Sequence, residues 1–251
     1  MLYGTGANGK SVLFEILNAL LGGSNNVSTY SLQNLTNENG YYRAMLGNKL
    51  VNYASEINGN MDVSIFKQLV SGEPVDARLP YGEPFTLTNY GKLIFNCNQL
   101  PTSVENTHAF FRRFLIIPFE VTIPKEKQDK KLAQKIIKNE LSGVLNRVLE
   151  GLRRILEQES FTESISANAL LDNYKKESDS VAQFIEEEGY EKSAEENILV
   201  EDLYDEYKTY CMVSKNISVP KRVFYSQLRA MRIVIERKYR GMVIYLKKEV
   251  C

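Results

Sequence analysis

Apolar residues recur at the helical spacing of three and four residues in several parts of this sequence. Residues 12–21 are the first such part, and residues 126–158 are the longest. This spacing predicts a helix in each part, because it places the apolar side chains on one face. The longer part is predicted to form either one helix or two helices that meet near Ser142 and Gly143. Residues 167–174 could form one or two further helical turns.

Short runs rich in β-forming residues lie between these helices in the first half of the chain. They predict strands at residues 49–54, 92–96 and 114–119. Residues 75–79 and 84–88 flank a Pro-Tyr-Gly sequence centred on Tyr81, which predicts a hairpin. Helices and strands mixed in this way predict an α/β fold for this part of the chain, and we assign residues 1–158 to one domain.

Residues 180–251 show a different order of elements. Helical spacing predicts helices at residues 180–188, 200–212 and 220–231, and short strands follow at residues 233–237 and 242–246. Three helices followed by a two-stranded wing are typical of an α+β winged-helix domain. The polar, serine-rich segment 159–179 is predicted to link the two domains.

Composition excludes several classes of protein. The chain has 251 residues, of which 25% are charged and 43% hydrophobic, and these ordinary values exclude a mainly disordered chain. No apolar run is long enough for a membrane span, so we expect no membrane partner. Cys97, Cys211 and Cys251 are widely spaced, which favours a reducing cytosol over a disulfide framework. His108 is the only histidine, which excludes a mechanism that needs two.

Charge is unevenly distributed, although the formal net charge is zero. Residues 172–206 carry thirteen acidic and three basic side chains, whereas residues 214–251 carry ten basic and two acidic ones. A basic segment of this kind predicts a polyanionic partner. The alternative is a solvated basic face on a small domain.

Residues 4–11 read Gly-Thr-Gly-Ala-Asn-Gly-Lys-Ser and fit the phosphate-loop pattern G-x-x-x-x-G-K-[ST]. In this pattern backbone N–H groups surround the phosphates, Lys10 reaches the β- and γ-phosphates, and the Ser11 hydroxyl coordinates Mg²⁺. A glycine turn before a helix would explain the glycines but not Lys10 and Ser11. The motif therefore predicts a site for ATP and Mg²⁺. Its predicted ATP-binding residues are Gly4, Thr5, Gly6, Ala7, Asn8, Gly9, Lys10, Ser11 and Val12.

The segment before this loop is short. Only Met1, Leu2 and Tyr3 precede Gly4, whereas a phosphate loop follows a strand, and strands usually have about five residues. We therefore expect the sequence to be an N-terminally truncated fragment that lacks the residues packed on the adenine.

The order of the later motifs resembles the ATPase core of the phage and plasmid primase-helicases, a branch of the superfamily 3 helicases within the AAA+ class. The resemblance begins with the Asn-Gly-Lys-Ser sequence at residues 8–11 and covers residues 2–157 well, the C-terminal part more loosely. It implies an AAA+ P-loop core and a hexameric helicase that uses ATP to move along single-stranded or forked DNA. It also implies replication of a mobile element, a cytoplasmic location in a bacterial or phage-infected cell, and a primase domain or a separate primase protein as a further partner. We expect this chain alone to form rings weakly or not at all.

The resemblance also gives roles to individual residues. Residues 49–56 resemble a Walker B strand, which implies that Glu56 polarises the attacking water and joins Ser11 at the metal ion. Ser55 stands where many ATPases have aspartate. Asn98 follows a strand that resembles sensor 1, which implies a hydrogen bond to the γ-phosphate or the water. The alternatives are a surface glutamate and an asparagine that caps a turn.

Residues 110–119 match the family's pair of arginines, apolar strand and Pro-Phe sequence. The resemblance implies that either Arg112 or Arg113 is a finger that reaches a neighbouring subunit's ATP, and the sequence does not decide between them. The alternative is an ion pair at a strand edge.

Two surfaces are predicted to contact DNA. In the family, the segment at residues 66–78 leads into a hairpin that projects into the ring's pore, so Lys67, Arg78 and Tyr81 would offer charge and a stacking face. In the C-terminal domain, helix 220–231 is predicted to turn Val223, Leu228 and Met231 toward the core. The basic residues predicted to contact DNA there are Lys221, Arg222, Arg229, Arg237, Lys238 and Arg240. Solvated surfaces, or packing against protein, are the alternatives.

A second class of function remains open: a DNA-binding module whose nucleotide site is only a switch or is inactive. A P-loop kinase is a third class, but it requires an acceptor site and lid arginines, and it does not explain the C-terminal domain.

Overall fold

The computed structural model describes residues 1–55, 61–101, 107–214 and 218–248. The chain divides into two compact units, Met1–Asp172 and Asn173–Cys251. Of the helices within the described ranges, none has both the length and the apolar character that crossing a bilayer requires.

The first unit combines a central sheet, a hairpin and surrounding helices. Its strands are β1 (Leu2–Tyr3), β2 (Val27–Ser28), β3 (Val51–Ala54), β4 (Val75–Arg78), β5 (Pro84–Leu87), β6 (Lys92–Cys97) and β7 (Ile117–Pro118). Its helices are α1 (Lys10–Leu20), α2 (Leu32–Thr36), α3 (Tyr41–Ala44), α4 (Val63–Ser71), α5 (His108–Phe111), α6 (Leu132–Asn139), α7 (Leu141–Gln158) and α8 (Ile165–Glu177), the last of which ends beyond the unit boundary. Short 3₁₀ turns lie at Gly23–Asn25 and Lys125–Lys127.

The central sheet has five strands in the order β2-β3-β6-β1-β7, and neighbouring strands are parallel. This confirms the predicted α/β class. Strand β1 is an interior strand, since Leu2 pairs with Asn96 of β6 and with Ile117 of β7. The strand predicted at residues 114–119 is shorter than expected: β7 comprises Ile117 and Pro118, which pair with Leu2 and Tyr3 of β1.

Aromatic side chains connect α4 with α5 and with the residues that follow α5. The Phe66 ring of α4 lies 5.5 Å from the Phe110 ring and 5.1 Å from the Phe114 ring, measured between centroids. All three side chains are nearly or fully buried. This packing holds helices α4 and α5 against each other, and α5 is the helix that precedes the paired arginines.

The hairpin predicted around Tyr81 is confirmed. Strands β4 and β5 pair antiparallel, from Val75 opposite Leu87 to Arg78 opposite Pro84. Val75 is buried and Arg78 exposed, as the two-residue period of a strand requires. Tyr81 lies in the turn with a φ of 61° and a fully exposed side chain.

The long apolar pattern at residues 126–158 forms two helices, which is one of the two expected arrangements. The break lies at Glu140, whose φ of −130° is outside the helical range, and so slightly before the expected Ser142 and Gly143. Helix α7 has no buried residue, and its apolar stripe lies on the surface of the unit. The exposed members of this stripe are Leu145, Val148, Leu149, Leu152, Ile155 and Leu156.

Helix α8 occupies much of the segment predicted as a linker, and it is longer than the one or two turns expected from residues 167–174. Its first turn is capped, because the backbone N–H of Ala167 donates to Ser164 Oγ at 3.3 Å. Serine is favourable directly before a helix because its hydroxyl accepts a hydrogen bond from an N–H group of the first turn. Part of the polar segment therefore starts a helix.

The second unit contains the predicted helices and three further short strands. Its elements in chain order are α9 (Ser180–Glu187), β8 (Tyr190–Lys192), β9 (Ile198–Leu199), α10 (Val200–Val213), α11 (Lys221–Ala230), β10 (Ile235–Lys238), β11 (Gly241–Ile244) and β12 (Leu246–Lys248). Strands β10, β11 and β9 form one antiparallel sheet, and β12 pairs with β8. Strands β8, β9 and β12 were not predicted, because two or three residues are too few for a periodic signal.

The buried face of α11 includes the predicted Leu228, and Met231 packs partly buried against the same core, but the prediction for Val223 is wrong. Phe224 and Leu228 are fully buried, whereas Val223 is 40% exposed. The buried pair has the i, i+4 spacing of one helix face, and Val223 lies about 100° away from Phe224 around the axis. The core of the unit is aromatic, since the rings of Tyr207 and Phe224 lie 4.8 Å apart.

The buried hydroxyl of Tyr207 makes this unit sensitive to alkali. Its oxygen lies 2.7 Å from Ser180 Oγ and accepts a hydrogen bond from the Val219 N–H at 3.0 Å. Burial raises the pKa of Tyr207 to about 12. Since an unfolded tyrosine ionises near pH 10, this stabilisation is present below about pH 10 and is lost as pH rises toward 12.

We therefore expect Tyr207→Phe to weaken the pH dependence of stability between pH 9 and about pH 12. At neutral pH the variant should lose about 1 kcal/mol, because the hydrogen bonds of the hydroxyl are removed. Urea unfolding at several pH values measures both effects. An equal loss of stability with rising pH in the wild type and in Tyr207→Phe would contradict the role of Tyr207 in this pH dependence.

Candidate functional site

Four segments with polar groups meet at one edge of the central sheet. The loop at residues 4–9 follows β1, Ser55 follows β3, Asn98 follows β6, and Phe119 follows β7. Because the strands are parallel, their carboxyl ends lie at the same edge. In open α/β sheets this is the edge at which ligands bind.

The loop after β1 turns sharply into helix α1. Gly6 has a φ of 117° and Gly9 a φ of 89°, and side chains rarely tolerate either conformation. Gly9 is the residue directly before the 11-residue helix α1, whose first residue is Lys10. The amino end of the helix therefore directs its unpaired N–H groups and its positive dipole to the same place as the loop.

The ammonium group of Lys10 is held inside this loop. It donates hydrogen bonds to the Gly4 carbonyl at 2.6 Å and to Asn8 Oδ1 at 3.0 Å. The residue is only 6% exposed. Burial lowers the pKa of Lys10, and the nearby Cys97 opposes this effect more weakly. The loop therefore holds a positive charge beside backbone N–H groups, which is a combination suited to phosphate.

Asn8 braces the loop against the end of β7. Its Nδ2 donates to the Phe119 carbonyl at 3.0 Å, while its Oδ1 accepts the hydrogen bond from Lys10. The Ile123 N–H also donates to the Ala7 carbonyl at 2.8 Å. The sequence indicated Asn8 only as part of the motif, because its bracing partner is more than a hundred residues away.

Strand β3 contains a buried polar side chain that sequence reasoning missed. Asn52 is fully buried, and its Oδ1 accepts from Ser28 Oγ at 3.0 Å and from the Tyr30 N–H at 2.9 Å. Its Nδ2 donates to the Tyr30 carbonyl at 2.9 Å. The available signal was a polar residue inside an otherwise apolar strand.

A second buried polar pair links β3 to β6. The Tyr53 hydroxyl donates to Asn96 Oδ1 at 3.0 Å, and burial raises the pKa of Tyr53 to about 12. Ser55 is exposed directly after β3. Glu56, the predicted catalytic base and metal ligand, lies outside the described residues.

Three of the predicted catalytic side chains have different surroundings. Asn98 is exposed directly after β6, at the edge that carries the loop. Arg112 is exposed, and Arg113 is partly buried. Arg113 Nε donates to Ser71 Oγ at 3.2 Å, and its Nη1 donates to the Ala109 carbonyl. Arg113 is therefore engaged within its own chain, at the junction of α4 and α5.

The predicted DNA contacts of the first unit fall on two elements. Arg78 and Tyr81 are both exposed and lie on the hairpin. Phe85 adds a second exposed aromatic ring to strand β5. Lys67 lies on helix α4 and is partly buried. The hairpin therefore presents one cation, Arg78, and two aromatic rings, and Lys67 is not part of this surface.

The predicted basic residues of the second unit are exposed, apart from Lys221. Lys221 Nζ lies 2.7 Å from Glu201 Oε1, and this hydrogen bond raises the pKa of Lys221. Arg222 and Arg229 line a cavity of about 390 Å³ on this unit. The other residues that line the cavity are Tyr225, Ser226 and Met242.

The remaining basic residues lie along β10 and the turn after it. Arg237, Lys238 and Arg240 are exposed. Lys238 Nζ lies 4.9 Å from the centroid of the Tyr245 ring, within the range of a cation–π contact.

Comparisons with known proteins give a distant likeness. The family described as "Family of unknown function (DUF5906)" matches residues 2–113. No curated protein matches the chain.

Two of the solved structures similar to this chain are an A form apo structure and a further apo structure of the NrS-1 C-terminal region. Their TM-scores are both 0.49, and their sequence identities are 13% and 14%. Each match covers 99% of this chain and 66% of the other, so this chain spans just under two thirds of their length. A likeness of this size decides nothing about activity.

Proposed function

We propose that this chain is the ATP-hydrolysing part of a DNA helicase, with an AAA+ P-loop core followed by a winged-helix domain. One observation carries the proposal. The glycine-rich loop holds the ammonium group of Lys10 at the carboxyl edge of a parallel sheet, at the amino end of α1. This places a buried cation and free helix N–H groups where a nucleotide's phosphates bind in other α/β folds.

The connections of the sheet support a ligand site at this point. Strand β1 leads through α1 to β2 at one edge, whereas its neighbour β6 leads to β7 at the other. Adjacent parallel strands whose connections leave in opposite directions form a crevice at their carboxyl ends. By this rule the nucleotide would lie between the loop after β1 and Asn98 after β6.

The residues present fit ATP with Mg²⁺. The loop and Lys10 would hold the phosphates, and the exposed Ser11 hydroxyl is the group of this motif that binds the metal ion. When bound, Mg²⁺ would supply positive charge that offsets the negative charge of the transferred phosphoryl group. Asn98 would orient the γ-phosphate or the attacking water, and we assign activation of that water to Glu56 by its position directly after Ser55.

The proposed DNA contacts are the hairpin and the basic surface of the second unit. The hairpin offers Arg78 for phosphate and Tyr81 for base stacking. On the second unit, Arg222 and Arg229 line one cavity together with Tyr225 and Ser226, two residues that carry hydroxyl groups. Guanidinium and hydroxyl groups are common partners of DNA phosphates. Lys221 contributes less, since Glu201 already neutralises its charge.

We expect the full chain to bind duplex DNA weakly through this surface, with an affinity that falls as salt rises because counterions are released. Reversing the charge of Arg222 and Arg229 by substitution with glutamate should weaken binding. It should also reduce the slope of log affinity against log salt concentration by the amount expected for about two phosphate contacts. Fluorescence anisotropy measures both quantities.

The matched control is Lys192→Glu with Lys208→Glu, which makes the same charge change elsewhere on the unit. We expect this control to retain most of the affinity and the original salt slope. Equal losses in the two double variants would show that net charge alone governs binding, and would contradict the assigned surface.

ATP turnover with and without single-stranded DNA tests the proposed function. Turnover that DNA stimulates supports a helicase motor. ATP binding without turnover, with or without DNA, would favour the second candidate, a DNA-binding module with a nucleotide switch. Failure to bind Mg-ATP would contradict both.

A further inference from the structure

A buried arginine outside the nucleotide site links the hairpin to the sheet. Arg43, on α3, is 4% exposed, and burial lowers its pKa, while the Asp76 and Asp62 carboxylates oppose this shift. Its Nε donates to the Asp76 carbonyl at 2.8 Å. Its Nη1 donates to the carbonyls of Leu35, at 3.0 Å, and Asn37. One planar group thus fixes three backbone carbonyls in relation to each other.

These carbonyls belong to two different segments. Asp76 lies on β4, in the hairpin whose turn exposes Tyr81. Leu35 and Asn37 lie at the carboxyl end of α2. The Arg78 N–H also donates to the Gly40 carbonyl at 3.4 Å, so the α2–α3 connection contacts β4 a second time. The position of the hairpin is therefore set by the end of α2.

The other end of α2 is fixed to the sheet. Asn52 of β3 holds both the N–H and the carbonyl of Tyr30, two residues before α2 begins. Ser31 then caps α2, since its Oγ accepts a hydrogen bond from the Asn34 N–H. A continuous chain of hydrogen bonds and one helix therefore runs from β3 to the hairpin.

This path begins on β3, the strand whose carboxyl end leads to the candidate nucleotide site. Asn52 is the second residue of β3 and lies three residues before Ser55, which follows the strand. A buried arginine is costly, and an apolar side chain of similar volume often stabilises a fold equally well. What the guanidinium adds is direction, because its donors lie in a fixed plane and hold both segments in one geometry.

We propose that Arg43 is a positioning residue that transmits the nucleotide state of the sheet edge to the β4–β5 hairpin. This role rests on the proposed function, in which the hairpin contacts DNA. Through Arg43, nucleotide binding would change the position of the hairpin. A shift of β3 moves Tyr30 through Asn52, α2 moves as a rigid helix, and Arg43 carries the displacement to Asp76.

Hydrogen exchange, read by mass spectrometry on the full chain, tests this path. The probe is the non-hydrolysable analogue Mg-AMPPNP. In the wild type we expect the analogue to slow exchange in residues 4–11 and to change exchange in residues 75–87 by about fivefold or more. In Arg43→Lys, which keeps the charge but loses the planar fork, the loop should respond normally and the hairpin should not.

The control is Arg147→Lys on α7, where the arginine side chain is 84% exposed and pairs with a neighbouring carboxylate, Glu150. We expect it to behave as the wild type. Arg43→Gln serves as a second variant, and thermal unfolding reports whether either variant remains folded.

The possible failures are distinguishable. Lack of a loop response in the wild type would overturn the proposed function. A loop response without a hairpin response in the wild type, or a hairpin response that survives in both Arg43 variants, would overturn only the role of Arg43. Joint loss of both responses with a lower Tm in both variants would show a purely structural role and would also overturn it.

Discussion

Replacing Lys10 by alanine is expected to reduce ATP hydrolysis at least about a hundredfold, the cost of removing one preorganised electrostatic contact at a reacting centre. The ammonium group is buried and held by the Gly4 carbonyl and Asn8 Oδ1, so its position is set before any phosphate arrives. Alanine removes this charge together with its hydrogen bonds to the Gly4 carbonyl and Asn8 Oδ1. Binding of Mg-ATP and steady-state turnover measure the effect.

Lys49→Ala is a suitable control for this substitution. The Lys49 ammonium group also donates to two backbone carbonyls, those of Ser24 and Asn25, at 2.7 and 3.0 Å. It lies before β3 and so belongs to the opposite edge of the sheet. We expect Lys49→Ala to retain turnover. Normal turnover in Lys10→Ala, or equal losses in the two variants, would contradict a phosphate site at this loop.

Substitution of Arg112 and substitution of Arg113 should have different effects, although the sequence alone does not distinguish the two residues. Arg112 is exposed and available to a neighbouring subunit, so Arg112→Ala should lower turnover of an assembled protein about a thousandfold without loss of stability. Arg113 holds Ser71 and the Ala109 carbonyl, so Arg113→Ala should lower the free energy of unfolding by about 1–3 kcal/mol. Turnover and urea unfolding measure the two effects.

Mixtures with the wild type separate a finger from a local contact. Because a finger acts on a neighbour's ATP, Arg112→Ala subunits should reduce turnover more than in proportion to their share. Arg113→Ala subunits should reduce it no more than in proportion. A linear mixing curve for Arg112→Ala, at concentrations where the wild type assembles, would exclude Arg112 as the finger.

The features that the sequence predicts correctly have local causes. Helix α1 and strand β6 were expected within two residues of their observed bounds, because their apolar residues recur at the period of each element. The hairpin followed from a Pro-Tyr-Gly turn between two β-forming runs. The loop at residues 4–11 was recognised for the same reason, since its glycines, Lys10 and Ser11 are adjacent in the chain.

The sequence determined which residues could perform the chemistry, and the tertiary structure decided which are available for it. Arg112 and Arg113 are neighbours in the chain, yet only packing of α4 against α5 brings Ser71 to Arg113. Glu201 pairs with Lys221 twenty residues later. Arg43 and Asn52 looked like ordinary polar residues, because their partners approach only when α2, the hairpin and the sheet have packed. Hydrogen bonds depend on distance and direction, which spacing along a chain does not specify beyond one helical turn or one strand pair.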